Sequence, residues 1–234
     1  MKTQDYVFAA VVIIVLLPFF LFDSAIQGFN AATMAHPYIM AFFKFAILAT
    51  VGDMLGLRIK EGKYTYKGYG TWPRAVVWGL FGMLIALAFA VFKNGVPAML
   101  DSINQDWGFK DAMKDTTLTW KRVVGAFSIS VFMNTFFAPV FMTAHKVCDT
   151  HILAHHGSFM AFFKPIPVGK IIASLNWKVQ WGFVFKKTIP LFWYPAHTIT
   201  FLLPGNLQVL FAASLSIFLG VFLSVAAVMS RSKA

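Results

Sequence analysis

Long apolar stretches, each close to the span of a lipid bilayer, decide what this chain can fold into. The hydrocarbon core takes about 20 apolar residues to cross as a helix, and six segments approach or exceed that length: residues 6–22, 37–58, 74–92, 122–144, 183–204 and 207–229. No water satisfies the backbone inside lipid, so each such segment must close its hydrogen bonds within itself. With 59% hydrophobic and 12% charged residues and a mean hydropathy of +0.70, the balance lies outside that of a soluble domain. The expected fold class is therefore all-α, a multi-pass transmembrane helix bundle of about six segments forming one integral membrane domain over residues 1–234.

The segments differ in character. The last is apolar and uninterrupted by charge or proline, whereas the fifth carries Lys186, Lys187, Pro190, Pro195 and His197 and is expected to be broken, tilted or interfacial. The first, with Lys2 ahead of an apolar run from Val7 to Phe22, has the outline of a secretion signal. No small-x-small cleavage pattern follows, and Pro18, Phe19 and Phe20 are bulky. Residues 1–30 are read as an extra, retained N-terminal helix.

The net charge of +11 comes from 20 Lys and Arg scattered between apolar segments without a continuous basic stripe, which argues against nucleic acid and for topology and anionic lipid headgroups. Membrane lipids are thus the first expected partners. With the N-terminus inside and six crossings, fourteen basic residues fall inside: Lys2, the 58–74 set, the 146–187 set, Arg231 and Lys233. Five fall outside, Lys93, Lys110, Lys114, Lys121 and Arg122, and Lys44 lies within the second span. The outside loop, residues 94–120, is expected to hold a short helix capped by Asp101 or Ser102 and carrying Ile103, Trp107 and Met113. The inside loop, residues 145–182, mixes aromatic residues, Pro165, Pro167 and lysines and is expected to lie along the membrane surface.

Small residues mark two packing faces. Ala212, Ser216, Gly220 and Ser224 recur every fourth residue in the last span, and Gly52 with Gly56 forms a GxxxG in the second. Such stripes let backbones approach closely, and packing within the bundle is favoured over dimerisation.

Ionisable and polar side chains inside spans are the candidates for function, because retaining them in lipid is unfavourable unless they face a cavity or a partner. Lys44 and Asp53 stand nine positions apart, on opposite faces of one helix and about 13 Å apart along it. Asp53 can instead reach Arg74 at the start of the third span, and Lys44 can snorkel outward. Asn134, with Ser128, Ser130 and Thr135 nearby, either lines a watery path or bonds to a neighbouring helix. His197 sits between Pro195 and Pro204, where a broken helix exposes backbone groups of the kind found at transporter binding sites.

One cluster points elsewhere. His145, Cys148, Asp149, His151, His155 and His156 contain an HxxxHH of the type used in the histidine boxes of membrane di-iron desaturases and hydroxylases. Those enzymes carry about eight metal-binding histidines in three boxes, and this chain has six histidines in all and no second box. A solvated turn is preferred to a metal site. The lone Cys148 excludes an internal disulfide and CxxC chemistry. No nucleotide loop, nucleophilic triad or paired carboxylates are visible, so neither an enzyme nor a cofactor is expected.

From His36 to about Ala227 the chain resembles the Mpv-seventeen and twenty-two-kilodalton peroxisomal membrane protein family. The resemblance rests on His36 and Pro37 before a span, Gly52 and Asp53 within it, Arg74 opening the next, the Phe137, Ala138, Pro139 run, and Trp193, Pro195, Phe201 and Pro204 ahead of the last span. The family usually has Asp and Gln before its Phe-Ala-Pro, where this chain has Met133 and Asn134, and the first span has no counterpart in its usual four-helix form. The resemblance implies channel-like passage of small solutes or ions and a part in membrane homeostasis. On it, Asp53, Arg74, Asn134 and His197 are expected to line or gate a narrow path. A non-transporting scaffold, as a homo-oligomer or a subunit of a membrane complex, is the alternative. With no Arg-rich transit peptide in view, a bacterial inner membrane is the preferred setting, ahead of a mitochondrial inner or peroxisomal one.

Overall fold

A computed structural model describes residues 2–231, and the fold is all-α, with no strand among the described residues. Helix α1 runs Thr3–Leu21, α2 Asp23–Ala35, α3 Pro37–Glu61, α4 Thr71–Ile103, α5 Phe109–Lys114, α6 Trp120–Phe136 and α7 Ala138–Ala154. Short helices α8 (Val168–Ser174) and α9 (Trp177–Val179) lead into a wide-wound π-type segment, Gln180–Trp193, which continues as α10 (Tyr194–Leu202) and is followed by α11 (Gly205–Arg231). Proline and glycine set several boundaries. Pro37 opens α3 where its missing N–H has no helical partner to lose, and Gly62, at φ 74°, closes it in the left-handed conformation that suits a residue without Cβ.

Among the described residues four helices are long and apolar enough to cross a bilayer: α1, α3, α4 and α11. A fifth appears if α6 and α7, bent by 45° at their junction, count as one span. The fifth sequence segment, 183–204, does not form such a span. It is split between the π-type segment and α10, as its prolines and lysines foretold. The third sequence segment, in contrast, runs further than expected. Helix α4 has 33 residues, about 50 Å at 1.5 Å per residue, so it carries Lys93, Pro97 and Asp101 well beyond residue 92. The short helix in the following loop starts later than expected, at Phe109. Its cap is Asp101, whose carboxylate accepts from the N–H groups of Phe109 and Lys110 at 2.7 and 2.8 Å. Ile103 ends α4 and Trp107 lies in the intervening turn.

Contacts sort the loops into two ends. At one, Arg58 pairs with Asp5 at 2.7 Å, Arg74 with Asp149 at 2.8 Å, and Gly70 packs on Gly157, both with positive φ. At the other, Lys44 donates to Thr33, Asn206 to Asn30, Lys93 to Gln208, and Arg122 to the Leu202 carbonyl. Lys233 and the side chain of Arg231, counted with the first end in the sequence, lie outside the described residues, as do the side chains at the end of the last segment.

Helix α3 is the spine, packed between α4 and α11. The two small-residue stripes prove to be partners of each other. A Cβ at Gly52 would meet Cα of Ile217 and the carbonyl of Ser216 at 2.9 Å, and one at Gly56 would meet Oγ of Ser224 at 2.9 Å and the carbonyl of Gly220 at 3.3 Å. Nearer the start of α3, Phe45 presses against Gly82 of α4. Further along, Phe45, Phe89, Ile129, Phe201, Ala212 and Ala213 close a buried core. Helix α1 stands apart: none of its residues is buried, and it is tied down by the Asp5–Arg58 pair, the Phe8–Tyr64 stack and Phe19 against Phe29.

Candidate functional site

The α6–α7 junction falls in the Phe137, Ala138, Pro139 run. Pro139 cannot donate to the carbonyl of Thr135, and its ring crowds that turn, so the helix axis breaks there. Across the gap runs the π-type segment, whose wide turns contain Pro190. The two irregular elements are stitched by Ser130, which donates to the Tyr194 carbonyl at 2.8 Å, and by a 2.7 Å hydrogen bond between Thr135 and the Tyr194 hydroxyl. Between them and the α3, α4 and α11 side lies a cavity of about 390 Å³.

Six elements contribute polar groups to its lining: Asp53 from α3, Asn134 from α6, His145, Lys146 and Asp149 from α7, Gln180 and Thr188 from the π-type segment, His197 from α10, and Ser216 from α11. The remainder of the wall is aromatic and aliphatic, including Phe45, Phe89, Phe137 and Phe141. Lys146 is exposed and Asp149 and Gln180 are half-buried, so the polar mouth opens at the Arg74 end. The far end is closed by the buried core, where the Phe89 and Phe201 rings approach at 5.0 Å.

The sequence candidates divide between this cavity and other places. Asp53 and Arg74 do not pair. Asp53 accepts from the Trp78 indole at 2.8 Å, while Arg74 turns to Asp149 on α7 at 2.8 Å, to the Tyr69 carbonyl at 3.0 Å and to the Tyr69 ring at 4.4 Å. The cause is the bend: it brings α7, with its own carboxylate, beside the start of α4. Burial there pushes the Tyr69 hydroxyl well above the usual tyrosine range. Arg74 is 6% exposed and braces the cavity mouth without lining it.

Lys44 does not snorkel outward. It is 4% exposed, at the opposite end from Arg74, with Nζ donating to Thr33 at 2.9 Å and lying 4.7 Å from the centre of the Phe29 ring. Helix α2 folds back over it, supplying a hydroxyl and a ring face, and snorkelling is unnecessary. Asn134 satisfies its amide within its own helix, donating to the Ser130 carbonyl at 2.8 Å, and shows its side chain to the cavity. His197 is buried between the stacked Trp193 ring at 5.1 Å and the edge of Phe89 at 5.6 Å, with Thr200 Oγ1 at 3.3 Å. Asp53, Asn134 and His197 are thus brought to one cavity; Arg74 and Lys44 are not.

Comparison of the chain with protein-family models, curated proteins and solved structures finds no match.

The histidine cluster is dispersed by the fold. His151 Nε2 is bonded to the Ala161 carbonyl and His155 Nδ1 to that of His151, each at 2.9 Å, fixing the turn after α7. Among the described residues no three His, Cys, Asp or Glu side chains are arranged to hold a metal ion. His145 instead faces the cavity, stacked 3.9 Å from Trp78. Sequence reasoning missed Trp78, Trp193, Gln180 and Thr188 as lining residues. A four-residue spacing was the available signal: His145 with Asp149, and Trp193 with His197, each share a helix face.

Proposed function

We propose that this chain is a channel-like membrane protein that permits or regulates the passage of small solutes or ions through the cavity, in keeping with the family it resembles. One observation carries the reading: polar side chains from six elements converge on one hollow whose remaining wall is aromatic and aliphatic. Lining groups of this kind are unfavourable in lipid and are retained where a hydrated path needs them. The solute enters at the Lys146, Asp149 and Gln180 mouth, passes Asp53 and Asn134, and meets a closed gate at His197, Phe89 and Phe201. In this reading conduction requires those rings to move.

Purified protein in liposomes tests it. Wild-type vesicles should release a panel of small ions and polar metabolites faster than empty ones. Phe89→Ala should raise release and Asp53→Asn should change its selectivity, each by roughly tenfold, the factor for about 1.4 kcal/mol. Vesicles that stay tight to every solute with both wild type and Phe89→Ala defeat the reading.

A scaffold is the second reading, supported by α1. A hydrophobic helix with no buried residue, Ile13 at 59% exposure and Ile14 at 68%, presents a whole flank to lipid or to a membrane partner. Stoichiometric co-purification of a second membrane protein, or of a second copy, that is lost when residues 3–21 are deleted would favour it.

A further inference from the structure

The cavity wall holds an acid without a cation. Oδ2 of Asp53 accepts from the Trp78 indole at 2.8 Å. Oδ1 meets no donor among the described residues and is not sealed by neighbouring atoms, and the half-buried residue lines the hollow. The ion pairs among the described residues join Asp5 to Arg58, Asp149 to Arg74 and Asp111 to Lys114, and none takes Asp53. The other cations near this end are held elsewhere: Arg74 is spent on Asp149 and Tyr69, and Lys60 and Lys146 are exposed, with their charge in water. A carboxylate kept inside a membrane bundle is unfavourable unless a positive charge or water meets it.

The neighbouring groups describe what would meet it. Asn134 gives its amide N–H groups to Ser130 and keeps a carbonyl oxygen with no donor, also unsealed, so it adds a second acceptor to the wall. Around these oxygens stand the rings of Phe45, Trp78, Phe89, Phe137 and Phe141. Aromatic faces attract a cation that has shed its water, and they suit alkylated ammonium groups in particular. A hard metal ion instead takes six or more oxygen ligands, and no three His, Cys, Asp or Glu side chains among the described residues are arranged to hold a metal. The volume, about 390 Å³, falls within the range of small-molecule sites, about 300–1,000 Å³.

We infer that the cavity binds a small organic cation, an alkylated ammonium with an apolar body, whose charge is met by the Asp53 carboxylate and whose body lies against the aromatic wall. The inference rests on the reading that this cavity is the working part of the protein, and it names the class of solute. It also gives one reason for joining a bare carboxylate to a wall that is otherwise largely aromatic.

Equilibrium dialysis tests it, with radiolabelled benzyltrimethylammonium and the full chain in phosphatidylcholine nanodiscs, empty nanodiscs being subtracted. Binding should saturate at one cation per chain. Neopentylbenzene, of the same shape with carbon in place of the charged nitrogen, should compete at least about tenfold more weakly, and Asp53→Asn should lower affinity by about tenfold or more, as loss of a close charge pair gives. Asp106→Asn removes the same charge from an exposed turn and should leave affinity unchanged. Potassium chloride in large excess should leave most of the probe bound.

Binding that does not saturate, or that Asp53→Asn leaves intact, overturns the inference. So does equal competition by neopentylbenzene, which marks an apolar void, and so does full displacement by potassium, which marks an inorganic-ion site. Should Asp53→Asn fail to fold, the wild-type ratio of charged to uncharged competitor still decides. Saturable binding by a protein whose vesicles are tight to every solute upholds the occupant and refutes passage; solute release by a chain that does not bind the probe does the reverse.

Discussion

The two sides of α11 are packed by opposite rules. Toward α3, a single methyl added at Gly52 would collide with the backbone of Ser216 and Ile217, and one at Gly56 would collide with the Ser224 hydroxyl and crowd the Gly220 carbonyl. Toward α6 and α7, Ala212, Ser216, Leu219 and Gly220 border a hollow of about 390 Å³. The same small-residue stripe serves both. Small side chains permit a close backbone seam where a partner presents glycine, and they leave space where the partner bends away. The difference lies in the opposing element: α3 is a continuous helix with glycines four residues apart, whereas α6–α7 is broken by Pro139 and the π-type segment, with Pro190 inside it, winds in wide turns. In lipid, where no hydrophobic force drives helices together, the seam's van der Waals contact is the main source of cohesion. The hollow side contributes less cohesion and carries the polar groups.

The sharpest way to break this contrast is to enlarge a seam residue. Gly52→Leu should abolish the α3–α11 contact, since neither the Ile217 Cα nor the Ser216 carbonyl can yield without moving the helix. We expect a loss of folded protein in detergent. Even Gly52→Ala should destabilise by about 1–3 kcal/mol, the usual range for overpacking, read as a lowered unfolding midpoint. Wild-type stability in Gly52→Leu would show that the seam is looser than described.

Next in size is the brace at the cavity mouth. Arg74→Gln leaves Asp149 without its partner in a half-buried position, and Asp149→Asn leaves Arg74, 6% exposed, with the Tyr69 carbonyl alone. Breaking a buried pair from one side typically costs about 3–5 kcal/mol, and the partial exposure of Asp149 places this pair toward the low end. Replacing both, Arg74→Met with Asp149→Leu, should recover most of the loss. In an unfolding titration, a double variant as unstable as either single one would rule out the pair as the cause.

Much of this arrangement was readable in the chain, and its limits are physical. Hydropathy marked the helices because lipid demands apolar lengths, and the two small-residue stripes were visible because a four-residue repeat keeps one helix face. That the stripes would meet each other was not visible, because a stripe does not name its partner. Asp53 was matched to Arg74 on proximity along two helices; the bend at Pro139 introduced a third helix and a competing carboxylate. Lys44 was misjudged for the same reason: α2, not recognised as a covering element, provides its hydroxyl and ring. The histidine cluster reads as a solvated turn in the sequence; in the fold helix α7 ends within it, His145 enters the bundle, and the buried His151 ties down the turn together with His155.

The smallest expected effect is the most informative about the hollow side. If that region is underpacked, filling it should be tolerated where filling the seam is not. Met142→Phe adds volume at the cavity wall beside His145, on the bent side of the bundle, and should shift stability by less than about 1 kcal/mol, within the tolerance of hydrophobic exchange. Its unfolding midpoint should match wild type, while solute release from liposomes falls. Such a result separates the two sides of α11 by function as well as by packing: one holds the helices together, and the other keeps a space between them. A midpoint lowered as far as in Gly52→Ala would mean that the hollow closes in the bilayer, and that both sides are close-packed after all.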